Sequence, residues 1–174
     1  TCAIASDNLA YCWGLGDDGQ LGNGVASSAS TPVQVDTTGV LPSQTVVSLA
    51  VGWQSTCAIG SDGKVYCWGT GYLGDGTSNP SSLPVTVDFT GVLAGKTALA
   101  IATDGGSTCL IASDNKPYCW GSNNHGQLGD GSFSTALSPV AVDTTGVLSG
   151  KTVVSITNGD SHVCVTTSDN GVYC

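Results

Sequence analysis

Thr56-Cys57-Ala58-Ile59-Gly60-Ser61-Asp62-Gly63-Lys64-Val65-Tyr66-Cys67-Trp68-Gly69 is the stretch that decides the fold of this chain. Alternating residues run into Ser61-Asp62-Gly63 and resume on the far side, the pattern of a β-hairpin. The stretch recurs at Cys2 to Cys12, Cys109 to Cys119 and Cys164 to Cys174, and these four copies use all 8 cysteines. The third loop residue is Asn8, Gly63, Asn115 or Asn170. Gly and Asn enter the left-handed conformation at least cost, so a type I turn with a G1 bulge is expected. Centring the hairpin on Asp62 pairs Gly60 with Lys64, Ile59 with Val65, Ala58 with Tyr66 and Cys57 with Cys67. If Gly60 and Lys64 are the first hydrogen-bonded pair, the two cysteines meet at a non-hydrogen-bonded pair. Their Cα atoms would then lie about 4.5 Å apart, at the short end of the disulfide range.

The spacing therefore predicts disulfides Cys2–Cys12, Cys57–Cys67, Cys109–Cys119 and Cys164–Cys174. Each closes a loop of about 11 residues, worth roughly 3 kcal/mol in the chain-entropy model. The alternatives are reduced core cysteines or a metal site, although metal sites more often use CxxC spacing and gather ligands from several segments.

Paired cysteines imply an oxidising compartment. The chain has 174 residues and a net charge of −9, with every acidic residue an Asp and no Glu, Arg or Met. The four lysines (Lys64, Lys96, Lys116 and Lys151) are scattered. They cannot build the cationic face that nucleic acid requires, nor one for an anionic membrane surface. No apolar run reaches the roughly 20 residues of a membrane span. The chain opens inside one hairpin and stops at the closing cysteine of another, which reads as a segment of a longer protein.

The second cysteines stand at 12, 67, 119 and 174, in steps of 55, 52 and 55. The shorter step falls after the Trp-Gly pair: Gly69 to Gly76 replaces the longer runs Gly14 to Gly24 and Gly121 to Gly131. A deletion absorbed in one turn marks that turn as surface. Each unit continues through a Ser/Thr-rich connection to Pro32, Pro84 or Pro139 and a short alternating strand such as Val33-Gln34-Val35. An Asp-x-Thr-Gly-Val-Leu turn follows, as at Asp36 to Leu41. A more apolar strand then leads into the next hairpin: Thr45 to Val51, Thr97 to Ala102, Thr152 to Ile156. Residues 1–174 thus read as one repeat array of three four-stranded units plus a terminal hairpin, with no helical periodicity. Units of this size with both hairpin faces apolar suggest β-propeller blades; a β-solenoid is the alternative.

Trp13-Gly14 with Gly19-Gln20-Leu21-Gly22, and Trp120-Gly121 with Gly126-Gln127-Leu128-Gly129, resemble the repeat of the regulator of chromosome condensation 1 (RCC1) family. The resemblance spans essentially the whole chain and implies a propeller, seven-bladed in the best-known members. The cysteine pairs and the Asp-x-Thr-Gly-Val-Leu insertion resemble its secreted or surface-attached bacterial branch. The nuclear branch works on a small GTPase and chromatin, partners that the charge of this chain disfavours.

No catalytic constellation is visible. His125 and His162 recur with no nucleophile at a signature spacing, and solvated histidines are the plain reading. Asp17 and Asp18 offer carboxylates for Ca²⁺, but the matching loop carries Asn123-Asn124. Trp13, Trp68 and Trp120 recur beside the second cysteine, as packing residues between blades would. Trp53 has Gly106 and Asp160 as its equivalents, so it is a candidate binding anchor, with local packing the alternative. The expectation is a non-enzymatic extracellular repeat module without cofactor or metal, serving as a structural or adhesive part of a bacterial surface protein or filament. Its partners would be proteins or other copies of itself. The alternative is a secreted protein-binding propeller that inhibits an enzyme.

Overall fold

The computed structural model describes residues 1–41 and 45–174. Its described residues hold fourteen strands and no helix. The first three are β1 (Cys2–Ile4), β2 (Ala10–Gly14) and β3 (Ala29–Gln34). β4 (Val46–Val51), β5 (Ser55–Gly60), β6 (Val65–Gly69) and β7 (Ser81–Thr86) follow. β8 (Ala98–Thr103), β9 (Ser107–Ala112), β10 (Pro117–Gly121) and β11 (Ala136–Ala141) repeat that pattern. β12 (Val153–Gly159), β13 (His162–Thr167) and β14 (Val172–Tyr173) close the chain. They form four antiparallel sheets: β1-β2-β3, β4-β5-β6-β7, β8-β9-β10-β11 and β12-β13-β14.

The units counted in the sequence are offset by one strand from these sheets. β4 pairs with β5 across the short Gly52-Trp53-Gln54 turn, because a tight turn makes adjacent antiparallel partners. The long connection before β4 instead carries the chain to a new sheet. Two complete blades are therefore flanked by two partial ones. β4 lies beside β8 and β8 beside β12, so the first strand of each blade adjoins the next blade.

Hairpin chemistry is local and follows the expected register. Cys57 pairs with Cys67, Ala58 with Tyr66 and Ile59 with Val65. Gly60 N–H donates to the Lys64 carbonyl at 2.9 Å, and Gly63 has φ 74° while Asn8, Asn115 and Asn170 have φ 62°, 58° and 64°. Disulfides join Cys2–Cys12, Cys57–Cys67, Cys109–Cys119 and Cys164–Cys174, each with Cα atoms 4.1 Å apart.

The fourth strand of a blade starts earlier than the alternation indicates, taking in Pro32, Pro84 and Pro139. All three prolines fall in the irregular stretch of the ladder, between the residues paired with Cys and Gly of the neighbouring strand. An edge strand tolerates Pro there because no ladder N–H is required of it. Asp36, Asp88 and Asp143 each accept the N–H of the Thr two residues on, at 2.7 or 2.8 Å. These turns seat Leu41, Leu93 and Leu148 in the core.

Among the described residues the core forms three clusters, one at each seam between blades. The first joins Cys12, Leu21 and Val35 to Val46, Ala58 and Trp68. The second joins Cys57, Leu73 and Val87 to Ala98, Leu110 and Trp120. The third joins Cys119 and Leu128 to Val153, Ile156 and Val165 and contains no tryptophan. Strands β5, β6, β9 and β10 are buried along their whole length, covered on both faces by neighbouring blades.

Candidate binding site

The recurring Gly-Gln-Leu-Gly run builds a socket. In the first unit Leu21 plugs the core, and Gly22 adopts φ 71°. A Cβ built on Gly22 would lie 2.6 Å from Trp68 Nε1, so the missing side chain is what admits the indole. The Trp68 N–H donates to the Gln20 carbonyl at 3.0 Å, and Thr56 Oγ1 donates to the same oxygen at 3.0 Å. The second seam repeats the fit: a Cβ on Gly74 would lie 2.7 Å from Trp120 Nε1. There the Trp120 N–H finds no acceptor among the described residues. Trp68 and Trp120 are fully buried, whereas Trp13, on the first partial blade, is half-buried. The turn read as surface is therefore only partly so, because Leu21, Leu73 and Leu128 reach inward from it.

At the third seam a cavity of about 400 Å³ opens between Leu128, Gly129 and Val142 on one side and Ile156, Val165 and Tyr173 on the other. His125 and His162 both line it. Their convergence was invisible in the sequence because they belong to different units. Gln127, Asp143 and Ser161 also line it.

Trp53 sits at the β4–β5 turn with 79% of its surface exposed. Its backbone N–H donates to the Asp104 carbonyl at 3.0 Å, which ties the turn to the next blade. Asp104 in turn accepts the N–H groups of Gly106 and Ser107 at 2.7 and 2.9 Å. The turn is thus held firmly while its indole stands in solvent. Phe133, in the β10–β11 connection, is also largely exposed. By strand direction that connection lies at the same end of the blades as Trp53.

The carboxylates serve turns. Asp17 accepts from Ser28 N and Ser28 Oγ at 3.2 and 3.0 Å, and Asp18 accepts from Gln54 Nε2 at 3.3 Å. At the opposite end of the blades, Tyr66 Oη donates to Asp62 and Tyr118 Oη to Asp114, at 2.8 and 2.7 Å. Burial first, and then these hydrogen bonds, push both phenols above their ordinary range. In the last hairpin Lys151 pairs with Asp169 instead. Its hydrogen bond holds the Asp169 carboxyl well below the usual range. Among the described residues no group of three or more His, Cys, Asp or Glu side chains gathers as a metal site would require.

Residues 7–59 and 114–166 match the repeat described as the regulator of chromosome condensation (RCC1) repeat, and residues 46–75 match a second form of the same description. The chain is 33% identical over 165 residues to the human E3 ubiquitin-protein ligase HERC2; the match covers 93% of this chain and 3% of that protein. Human WBSCR16 superposes with a TM-score of 0.82 at 21% identity, over 96% of this chain and 42% of that one. Yeast RCC1 (Prp20), solved bound to Kap60, superposes with a TM-score of 0.74 at 22% identity, over 93% of this chain and 39% of that one. The chain therefore spans well under half the length of these relatives, and over that span it belongs to the RCC1 repeat family.

Proposed function

We propose that this RCC1-repeat chain is a non-enzymatic protein-binding module of the extracellular space or cell surface, a structural or adhesive part of a larger surface protein or filament. The observation that carries the reading is the disulfide set: every cysteine is bonded within its own hairpin and none is free. Such bonds persist in oxidising compartments and are rare where thiols are kept reduced. The yeast neighbour bound to Kap60 lends support to protein binding as a use of this fold. The bacterial attribution rests on resemblance alone, since the relatives named above are human and yeast. The net charge of −9 supports partners other than nucleic acid.

Labelling of intact cells with an impermeant amine reagent, followed by non-reducing peptide mapping, tests the compartment. Recovery of the labelled protein with its four hairpin disulfides is expected. A cytosolic pool with alkylatable thiols would sink the reading.

The rigidly held, solvent-facing Trp53 favours a second reading, a secreted propeller that inhibits an enzyme by docking one aromatic anchor into it. For either kind of protein partner, Trp53→Ala should weaken binding by at least about tenfold, with the melting temperature unchanged. Equal affinity in the variant would remove Trp53 from the interface.

A further inference from the structure

This inference rests on the protein-binding reading of Trp53 and deepens it by naming the chemistry of the partner. The turn that carries the indole is fixed from both sides. Trp53 N–H donates to the Asp104 carbonyl of the next blade at 3.0 Å. Gln54 Nε2 donates to the Asp18 carboxylate of the preceding blade at 3.3 Å. The two turns meet backbone to backbone: a Cβ on Gly52 would lie 2.4 Å from Gly105 N, and Gly105 takes φ 102°. Trp53 stands on a complete blade with a blade on either side, and its indole is still 79% exposed. Charge is distributed unevenly between the two ends of the blades. Lys64 and Lys116 lie in the β5–β6 and β9–β10 hairpin loops, and Lys96 and Lys151 stand two residues before β8 and β12. All four lysines are therefore at the end opposite Trp53, and so is the Lys151–Asp169 ion pair. At the Trp53 end, Asp17, Asp18, Asp104 and Asp160 occupy the β2–β3, β8–β9 and β12–β13 turns with no lysine among them. Asp104 accepts the Gly106 and Ser107 N–H groups on one oxygen, and its second oxygen has no hydrogen-bond partner.

We propose that this end is the docking surface for a basic segment of a partner protein, whose arginine or lysine side chain stacks on the Trp53 indole with the Asp18 and Asp104 turns on either side. The face of an indole attracts a cation through its quadrupole. Carboxylates that have no cation of their own add attraction of the same sign. An acidic segment would be repelled there, and so would nucleic acid. A second copy of this chain is a poor occupant. It has no Arg, and its lysine loops carry Asp62 two residues from Lys64 and Asp114 two residues from Lys116. Because both turns are already held in place, docking requires little further ordering of this surface.

The probe is a blocked peptide, acetyl-Gly-Arg-Leu-Arg-Gly-amide, titrated into the isotope-labelled intact chain and followed by NMR. Its twin carries citrulline, the uncharged analogue of arginine, at both arginine positions. Saturable shifts at the Trp53 indole N–H and the Gly105 amide are expected, with the citrulline peptide weaker by at least about fivefold. Affinity for the arginine peptide should fall as salt is raised. Trp53→Ala should abolish saturation without lowering the melting temperature, since the side chain is exposed, and Trp53→Phe should keep part of the binding. Asp18→Asn should weaken the arginine peptide and leave the citrulline peptide unchanged. Equal binding of the two peptides, shifts confined to the lysine end, no saturable shift, or undiminished binding to Trp53→Ala would overturn the proposal. A concentration-dependent dimer that Trp53→Ala dissolves would assign the surface to a second copy and overturn it too. If the charge preference is absent while Trp53→Ala still weakens a protein partner, this inference alone fails; a partner indifferent to Trp53 would instead remove the anchor reading on which it rests.

Discussion

The indole N–H of Trp68 donates to the carbonyl of Gln20 at 3.0 Å, across the seam between two blades. The pair joins a strand of one hairpin to a loop of the preceding unit, so it reports directly on whether the blades are docked. Trp68→Ala should cost about 3–5 kcal/mol in urea unfolding, the range for a fully buried aromatic. Trp13→Ala, at a half-buried position, should cost clearly less. Equal losses would mean that the seams do not carry the stability.

Glycines in this chain separate into two kinds. Gly22 and Gly131 share positive φ, 71° and 81°. A Cβ on Gly22 collides with Trp68, whereas one on Gly131 meets nothing within 4 Å. Gly131→Ala should therefore cost only backbone strain, about 1–2 kcal/mol. Gly22→Ala should add roughly 1–3 kcal/mol of overpacking to that. Denaturant midpoints of the two variants, measured side by side, would show the gap; similar midpoints would refute the socket geometry.

The four disulfides should not reduce together. Cys57 and Cys67 are buried under neighbouring blades, while Cys174 is exposed and Cys164 half-buried. Thiol–disulfide exchange requires access to a sulfur. Brief treatment with a mild reductant, alkylation and mass mapping should label Cys164 and Cys174 well before Cys57, Cys67, Cys109 or Cys119. First labelling at the middle hairpins would contradict the burial order.

Stability should fall at both extremes of pH, for opposite reasons. The backbone N–H of Thr38 lowers the Asp36 carboxyl, and the hydroxyls of Thr90 and Thr145, then their N–H groups, lower Asp88 and Asp143. A depressed folded value means the fold favours the carboxylate, so this contribution is whole above the ordinary 3.8 and is lost as pH falls below it. Tyr66 and Tyr118 are raised, chiefly by burial, so the fold favours the neutral phenol. That contribution is whole below 10.0 and is lost as pH rises beyond it. Melting temperature against pH should form a plateau bounded near these values. Tyrosinate absorbance should still be rising well above the ordinary 10.0 as Tyr66 and Tyr118 ionise; a titration complete near 10.0 would contradict their burial.

The Cys57–Cys67 hairpin was legible in the sequence because everything that sets it is local. One Gly or Asn at the left-handed position, period-two alternation and a cross-strand pair of cysteines leave a single register, and a slip by one residue would turn every side chain to the wrong face. The Asp36, Asp88 and Asp143 turns were legible for the same reason, since each is closed by a side chain two residues from its partner. What the sequence left open involves groups far apart along the chain. The offset between repeat and blade follows from which neighbour β4 chooses. The burial of Trp68 follows from a glycine in the preceding unit. The placing of His125 and His162 along one cavity follows from two blades sharing one seam. Such contacts form only after a long loop has closed, and their energy comes from packing against surfaces that no local pattern records. For that reason Trp68 and Trp120 stand in the same local sequence, Tyr-Cys-Trp-Gly, and only the tertiary structure shows that each is buried against a glycine of the preceding unit.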